Sequence, residues 1–94
     1  MSELEQYRQL MLPVLKRYFI KRAAIFGSLA KGTMSEDSDI DLLIEPEIGF
    51  TLFAMLNLEK EIAELTNRKV DVIEYSAIKP SIKTEVLGSA ISIL

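Results

Sequence analysis

The sequence contains no cysteine. A disulfide framework, thiol catalysis and thiolate metal sites are therefore excluded. It contains no histidine either, which removes Ser-His-Asp triads, imidazole-built zinc centres and histidine general-base chemistry. No apolar stretch approaches the ~20 residues that a bilayer span requires. Positive charge is in slight deficit: 11 Lys and Arg stand against 14 Asp and Glu, for a net charge of −3 at pH 7. The basic footprint of a nucleic-acid duplex binder is thus missing. No internal repeat, low-complexity tract or long linker divides the chain. Its chemistry must rest on carboxylates, hydroxyls, amines and backbone.

What remains is the composition of one globular domain. The 94 residues are 49% hydrophobic and 27% charged, enough for a single modest core over residues 1–94. The opening Met-Ser-Glu-Leu-Glu is acidic and polar and lacks the basic region of a signal peptide. The expectation is a cytoplasmic protein with no membrane association.

Leu4, Tyr7, Met11, Val14, Leu15 and Tyr18 recur at helical spacing. They predict an amphipathic helix over 2–18, capped by Ser2 and kinked or broken at Pro13. Leu10 and Leu12 lie off the main stripe and leave self-association open. Strands are predicted over 20–26, over 39–45 with Pro46 as the stop, and over 69–75. Between the first two, Ser28 to Gly32 predicts a short helical turn closed by Gly32 in the left-handed conformation. Gly49 marks a turn. Thr51 caps a helix over 51–66 whose wide apolar face carries Leu52, Met55, Leu56, Leu58, Ile62 and Leu65, with Asn67 as C-cap. Pro80 and Ser81 open a last helix over about 81–92. The apolar segment Val86 to Leu94 reads either as part of a helix packed on the sheet or as a partner surface. The predicted order is α-β-α-β-α-β-α, an α/β (α+β) fold with a small mixed sheet of about three strands covered by helices.

The anomaly is three aspartates in predicted strands, where this residue is depleted. Asp39 and Asp41 stand at i and i+2, on one face, with Cβ atoms about 6–7 Å apart. Asp71 stands among Val70, Val72 and Ile73, in what reads as a buried strand. If the two strands are neighbours, the three carboxylates can converge. Their repulsion and desolvation would be relieved by a hard divalent cation such as magnesium. The alternative is that Asp39 and Asp41 face water and that Asp71 pairs with Lys69 or Arg68. Gly27 and Ser28 add a second feature. Glycine permits close backbone approach, and N–H groups at a helix start, with a serine hydroxyl, suit phosphate oxygens. There is no Walker A and no Gly-x-Gly-x-x-Gly, so neither a P-loop nor a dinucleotide-binding fold is supported.

The two features join as Gly27-Ser28, ten intervening residues, then Asp39-x-Asp41. With Gly27-Ser-Leu-Ala-Lys-Gly32, Ser38-Asp-Ile-Asp-Leu-Leu-Ile44, Arg68-Lys-Val-Asp-Val-Ile73 and Ile78-Lys-Pro-Ser-Ile-Lys-Thr-Glu-Val86, the sequence resembles the DNA polymerase β-like nucleotidyltransferase superfamily over about residues 20–92. Within it, the chain is similar to the minimal nucleotidyltransferases, the MNT group, antitoxins found beside HEPN-domain toxins. The resemblance implies a polymerase β-like nucleotidyltransferase fold and AMP transfer from ATP with pyrophosphate release. It implies two Mg²⁺ ions, with Mn²⁺ fitting the same oxygen ligands. Asp39 and Asp41 would bridge both ions, and Asp71 would bind the one nearer the nucleophile. Gly27 and Ser28 would hold the β- and γ-phosphates. Lys31 stands where the group usually has Arg, so a phosphate contact there would lose the bidentate fork, and a solvated loop lysine is its alternative. The implied partner is a HEPN toxin adenylylated on a hydroxyl, expected to be a tyrosine. Two other functions stay open: an antitoxin that masks its toxin without chemistry, and the catalytic subunit of a small-molecule, aminoglycoside-type nucleotidyltransferase.

Overall fold

The computed structural model describes residues 2–94. The first helix, α1 (Glu3–Arg17), starts where Ser2 accepts a hydrogen bond from the Glu5 N–H. It runs through Pro13 without a break. Pro13 is exposed, as is Gln9, whose carbonyl loses its helical partner to the proline ring and can turn to water. Met11, Val14 and Leu15 meanwhile anchor both sides of it in the core.

Strand β1 (Ile20–Phe26) leads into the short helix α2 (Gly27–Lys31), closed by Gly32 at φ 73°. Strand β2 (Ile40–Pro46) follows, then helix α3 (Leu52–Thr66), bounded by the Thr51 side chain and by Asn67 in the left-handed conformation. After β3 (Val70–Glu74) and a 3-10 turn, Tyr75–Ala77, comes α4 (Pro80–Ser89). Proline sits in its first turn, where a missing N–H is harmless.

The sheet has four strands in the order β3-β2-β1-β4. The pair β2–β3 is parallel, and β1 is antiparallel to both β2 and β4. The expected count was three. The fourth strand, β4 (Ile91–Ser92), lies where a helix over 81–92 was expected. The helix stops at Ser89 because Ala90 is extended, and the β-branched tail pairs with β1. Ile93 and Leu94 N–H groups donate to the Ala23 carbonyl, and the Ala23 N–H donates to Leu94. The tail therefore satisfies a β1 edge that would otherwise carry unpaired backbone groups. Ile93 enters the core.

One face of the sheet, carrying Ala23, Ile25, Ile40, Leu42, Ile44 and Val70, packs on α1 and α3 as a single apolar cluster. The other face carries Phe26, Asp41 and Asp71 at one end. Ala24, Leu43 and Ile73 come next, with Leu43 and Ile73 lining a cleft against the 3-10 turn and α4. The α3 stripe is narrower than predicted: Leu58 and Ile62 are buried, whereas Leu52, Leu56 and Leu65 are exposed. No helix among the described residues is long and apolar enough to cross a membrane.

Candidate functional site

The polar face of the sheet begins at a single turn. Phe26 is extended, and at Gly27 the backbone switches to φ 68° to start α2. L-residues with a Cβ disfavour that conformation. A Cβ at Gly27 would also collide with Oδ2 of Asp41. Glycine is thus required twice, for the turn and for the space the carboxylate occupies. Ser28 follows, half-buried, in the first turn of α2. Its hydroxyl makes no hydrogen bond among the described residues, so it is a free donor beside the first-turn N–H groups. Lys31, in the last turn of α2, is exposed.

The carboxylates arrive from the adjacent strands. Asp41 is half-buried in β2 and stands opposite Phe26 on one side and Asp71 of β3 on the other. Its carboxyl is pushed above the ordinary range, first by burial, then by the charges of Asp71 and Asp39. Asp41 therefore feels the charge of both other acids. Two expectations need correction. Asp39 lies one residue before β2, which runs from Ile40 through Pro46 and not from 39 to 45. The first ladder bond is the Ile40 N–H donating to Lys69, 2.9 Å. Asp71 is exposed, because β3 is an edge strand with only Val70 buried, and not the doubly buried strand expected.

These positions bring the trio to one end of the sheet without closing it. Among the described residues, no group of three or more acidic side chains is drawn together as a metal-holding cage. Uncompensated anions repel, and an exposed Asp71 has water to turn to. The donor set nonetheless fits a divalent cation of the magnesium type. It is all carboxylate oxygen, it carries a carboxyl whose ionised form is opposed by its neighbours, and the missing Gly27 side chain leaves one of its oxygens room.

The alternative of an Asp71 ion pair with Arg68 fails as well. The Arg68 Nε donates to the Tyr7 hydroxyl at 2.7 Å, and its Nη1 faces the carbonyls of Ser35 and Ser38 at 2.6 and 3.0 Å. Sequence reading counted Arg68 within a motif and as a possible partner of Asp71, and missed this role. The only sequence signal was an arginine placed three residues before the third acid.

Comparison with known proteins agrees with this geometry. The polymerase beta nucleotidyltransferase family model matches residues 10–94. A provisionally named protein adenylyltransferase of Methanocaldococcus jannaschii is 35% identical over 91 residues, covering 97% of this chain and 98% of that protein. The protein adenylyltransferase MntA of Thermococcus cleftensis is 30% identical over 76 residues, covering 81% of this chain and 77% of that one. Among solved structures, a provisionally assigned minimal nucleotidyltransferase superposes with a TM-score of 0.81 at 33% identity, over 96% of this chain and 95% of that chain. A toxin-antitoxin complex with AMP-PNP superposes at 0.81 and 18% identity, over 93% and 72% of the two chains. A complex of tri-AMPylated Shewanella oneidensis HEPN toxin with MNT antitoxin superposes at 0.75 and 14% identity, over 97% and 71%. At such identities these two share the fold alone.

Proposed function

Since the chain belongs to the polymerase β nucleotidyltransferase family, in its MNT-like branch, and is a nucleotidyltransferase, we propose that it transfers AMP from ATP to a tyrosine hydroxyl of a HEPN-domain toxin and so acts as its antitoxin. The observation that carries this reading is the placement of Asp41 against Gly27 with Asp71 opposite it in register. The Gly27–Ser28 turn and two of the three carboxylates thereby lie at one end of the sheet, which supports reading them as phosphate donors and cation ligands. Two solved complexes of the same fold, one described with AMP-PNP and one with an AMPylated HEPN toxin, support the choice of nucleotide and partner.

In this reading Asp39, Asp41 and Asp71 would hold Mg²⁺ ions through their carboxylate oxygens, and Mn²⁺ would suit the same ligands. Such ions, when bound, neutralise charge on the attacking and leaving oxygens of an in-line displacement. The chain's own groups do the rest. The Gly27 N–H and the Ser28 hydroxyl orient the β- and γ-phosphates, and Lys31 adds a point charge at their edge. The acceptor hydroxyl oxygen forms a bond to the α-phosphorus, the bond from that phosphorus to the β-bridging oxygen breaks, and pyrophosphate leaves. Asp71, which is exposed, takes the hydroxyl proton directly or through water.

The test is intact-mass spectrometry of a cognate HEPN toxin after incubation with this protein, ATP and Mg²⁺. AMP increments that disappear with Asp39→Asn establish the reading, and peptide mapping gives the acceptor. A toxin that is bound tightly but unmodified would make the protein a masking antitoxin. A labelled nucleotide found on a small molecule instead would move the acceptor class.

A further inference from the structure

The segment that leaves α3 and enters β3 does more than deliver Asp71. Arg68 sits just after the Asn67 cap, and its side chain crosses back over the loop between α2 and β2. There Nη1 meets the Ser35 carbonyl at 2.6 Å and the Ser38 carbonyl at 3.0 Å, with the Glu36 carbonyl at 3.4 Å. Nε donates to the Tyr7 hydroxyl of α1 at 2.7 Å, and the guanidinium carbon stands 5.7 Å from the centre of that ring. The next residue continues the grip, because the Lys69 carbonyl accepts from the Ile40 N–H at 2.9 Å. Asp39 thus has both chain neighbours tied to residues 68 and 69. Two positions further on, Asp71 is in register with Asp41.

We propose that Arg68 is a positioning residue, which fixes the loop so that Asp39 is presented beside Asp41 and Asp71. The inference rests on the nucleotidyltransferase reading of the three acids. Asp39 lies in a loop segment, and a loop residue is placed only as well as its backbone is held. Within the loop, the Ser35 N–H donates to the Ser38 hydroxyl at 2.9 Å, and the two hydroxyls share a bond at 3.1 Å. Those bonds shape the turn but do not attach it to the body of the protein. Met34 packs on the core before this turn and Ile40 pairs with Lys69 after it; over the turn itself, at Ser35 and Ser38, the guanidinium makes the attachment. It is always charged, its donors lie in a fixed plane, and bonds from a charged donor to carbonyls are the strong kind. A lysine would offer a rotating ammonium in place of that fixed plane and would hold the loop carbonyls less firmly. Arg68 itself lies outside the apolar core cluster.

The experiment uses the whole protein and Mn²⁺ as probe, read by water-proton relaxation, with amide hydrogen exchange over residues 35–40. Arg68→Met is expected to weaken Mn²⁺ binding about 10–100-fold, the usual effect of removing a group that orients a ligand. Exchange at 35–40 should accelerate while exchange in β1 and α3 does not change. Arg68→Lys should recover only part of the affinity, and added guanidinium should restore Mn²⁺ binding to Arg68→Ala. Tyr7→Phe keeps the loop carbonyl contacts and should stay close to wild type. If Arg68→Met fails to fold, Arg68→Lys, which keeps the charge and stem, carries the same comparison. Unchanged Mn²⁺ affinity, or unchanged exchange at 35–40, in a folded variant overturns the positioning role. A wild-type protein that binds no Mn²⁺ overturns the reading of the acids themselves, and is told apart by that control.

Discussion

Strand β2 presents two different surfaces from alternate residues. Ile40, Leu42 and Ile44 have no exposed surface and lie in the core under α1 and α3. At the alternate positions, Asp41 is half-buried beside Gly27, Leu43 is buried beneath the 3-10 turn and α4, and Glu45 pairs with Arg22 at 2.8 Å. The difference follows from the two-residue period of a strand. It lets the core residues clamp the backbone while the intervening side chains display chemistry. Asp41 owes its fixed position to the apolar neighbours on either side of it. Stability and activity should therefore be separable at adjacent positions.

The largest effect should come from Asp41→Asn, expected to abolish AMP transfer, measured by intact mass, while leaving the fold intact. The melting temperature at pH 7 should hold or rise. The Asp41 carboxyl is raised in the folded state by burial and by Asp71 and Asp39. Its contribution to stability is therefore fully present below the unfolded carboxyl value and is lost as pH rises through the raised folded one. Asn removes that loss, so the fall in stability across the mildly acidic range should flatten. The neighbouring Leu42→Ala should do the reverse. A fully buried leucine removed from a core costs about 2–5 kcal/mol, a large share of the roughly 5–15 kcal/mol that such a domain has. Whatever fraction stays folded should keep its transfer rate per molecule. Activity lost in proportion beyond the unfolded fraction would show that the two faces are not independent.

Gly27→Ala tests the point where both surfaces meet. The left-handed conformation alone costs a residue with Cβ about 1–2 kcal/mol, or roughly 4–16 °C of melting temperature for a domain of this size. The added methyl also displaces the Asp41 carboxylate. Combining it with Asp41→Ala should remove the collision but keep the conformational cost. Calorimetry should then give a double variant more stable than the sum of the single changes predicts. Strict additivity would mean that Asp41 moves aside freely and that its seat against Gly27 is incidental.

How much of this was legible in sequence depended on the range of the interaction. Local signals held: the Ser2 and Thr51 caps, the Gly32 and Asn67 left-handed stops and the bounds of β1 all depend on residues within one turn. Non-local ones failed. Nothing near Ile91 says that the β1 edge is unpaired, so the tail read as helix. Arg68 finds Tyr7 and Ser35 at separations of 61 and 33 residues, which no spacing rule reaches. The grouping of the acids was legible only as a condition on strand adjacency. The parallel β2–β3 pairing meets that condition, while the edge position of β3 leaves Asp71 more exposed than its apolar neighbours suggested.

The smallest effect is expected at Lys31, an exposed side chain outside the carboxylate cluster. It is exposed in the last turn of α2, a position that favours a cation in any case. An exposed charge contact is worth about 0–1 kcal/mol, so Lys31→Ala should raise the KM for ATP by no more than about fivefold and leave kcat unchanged. That rise should shrink as KCl is added, because the screening length falls to about 8 Å at physiological ionic strength. Lys31→Arg should lower the KM, since a planar fork can grip two phosphate oxygens where the ammonium grips as a point. A fall in kcat with Lys31→Ala would place the ammonium on charge that develops during transfer. No change in either constant would leave it a solvated lysine at the end of α2, with phosphate recognition resting on the Gly27–Ser28 turn.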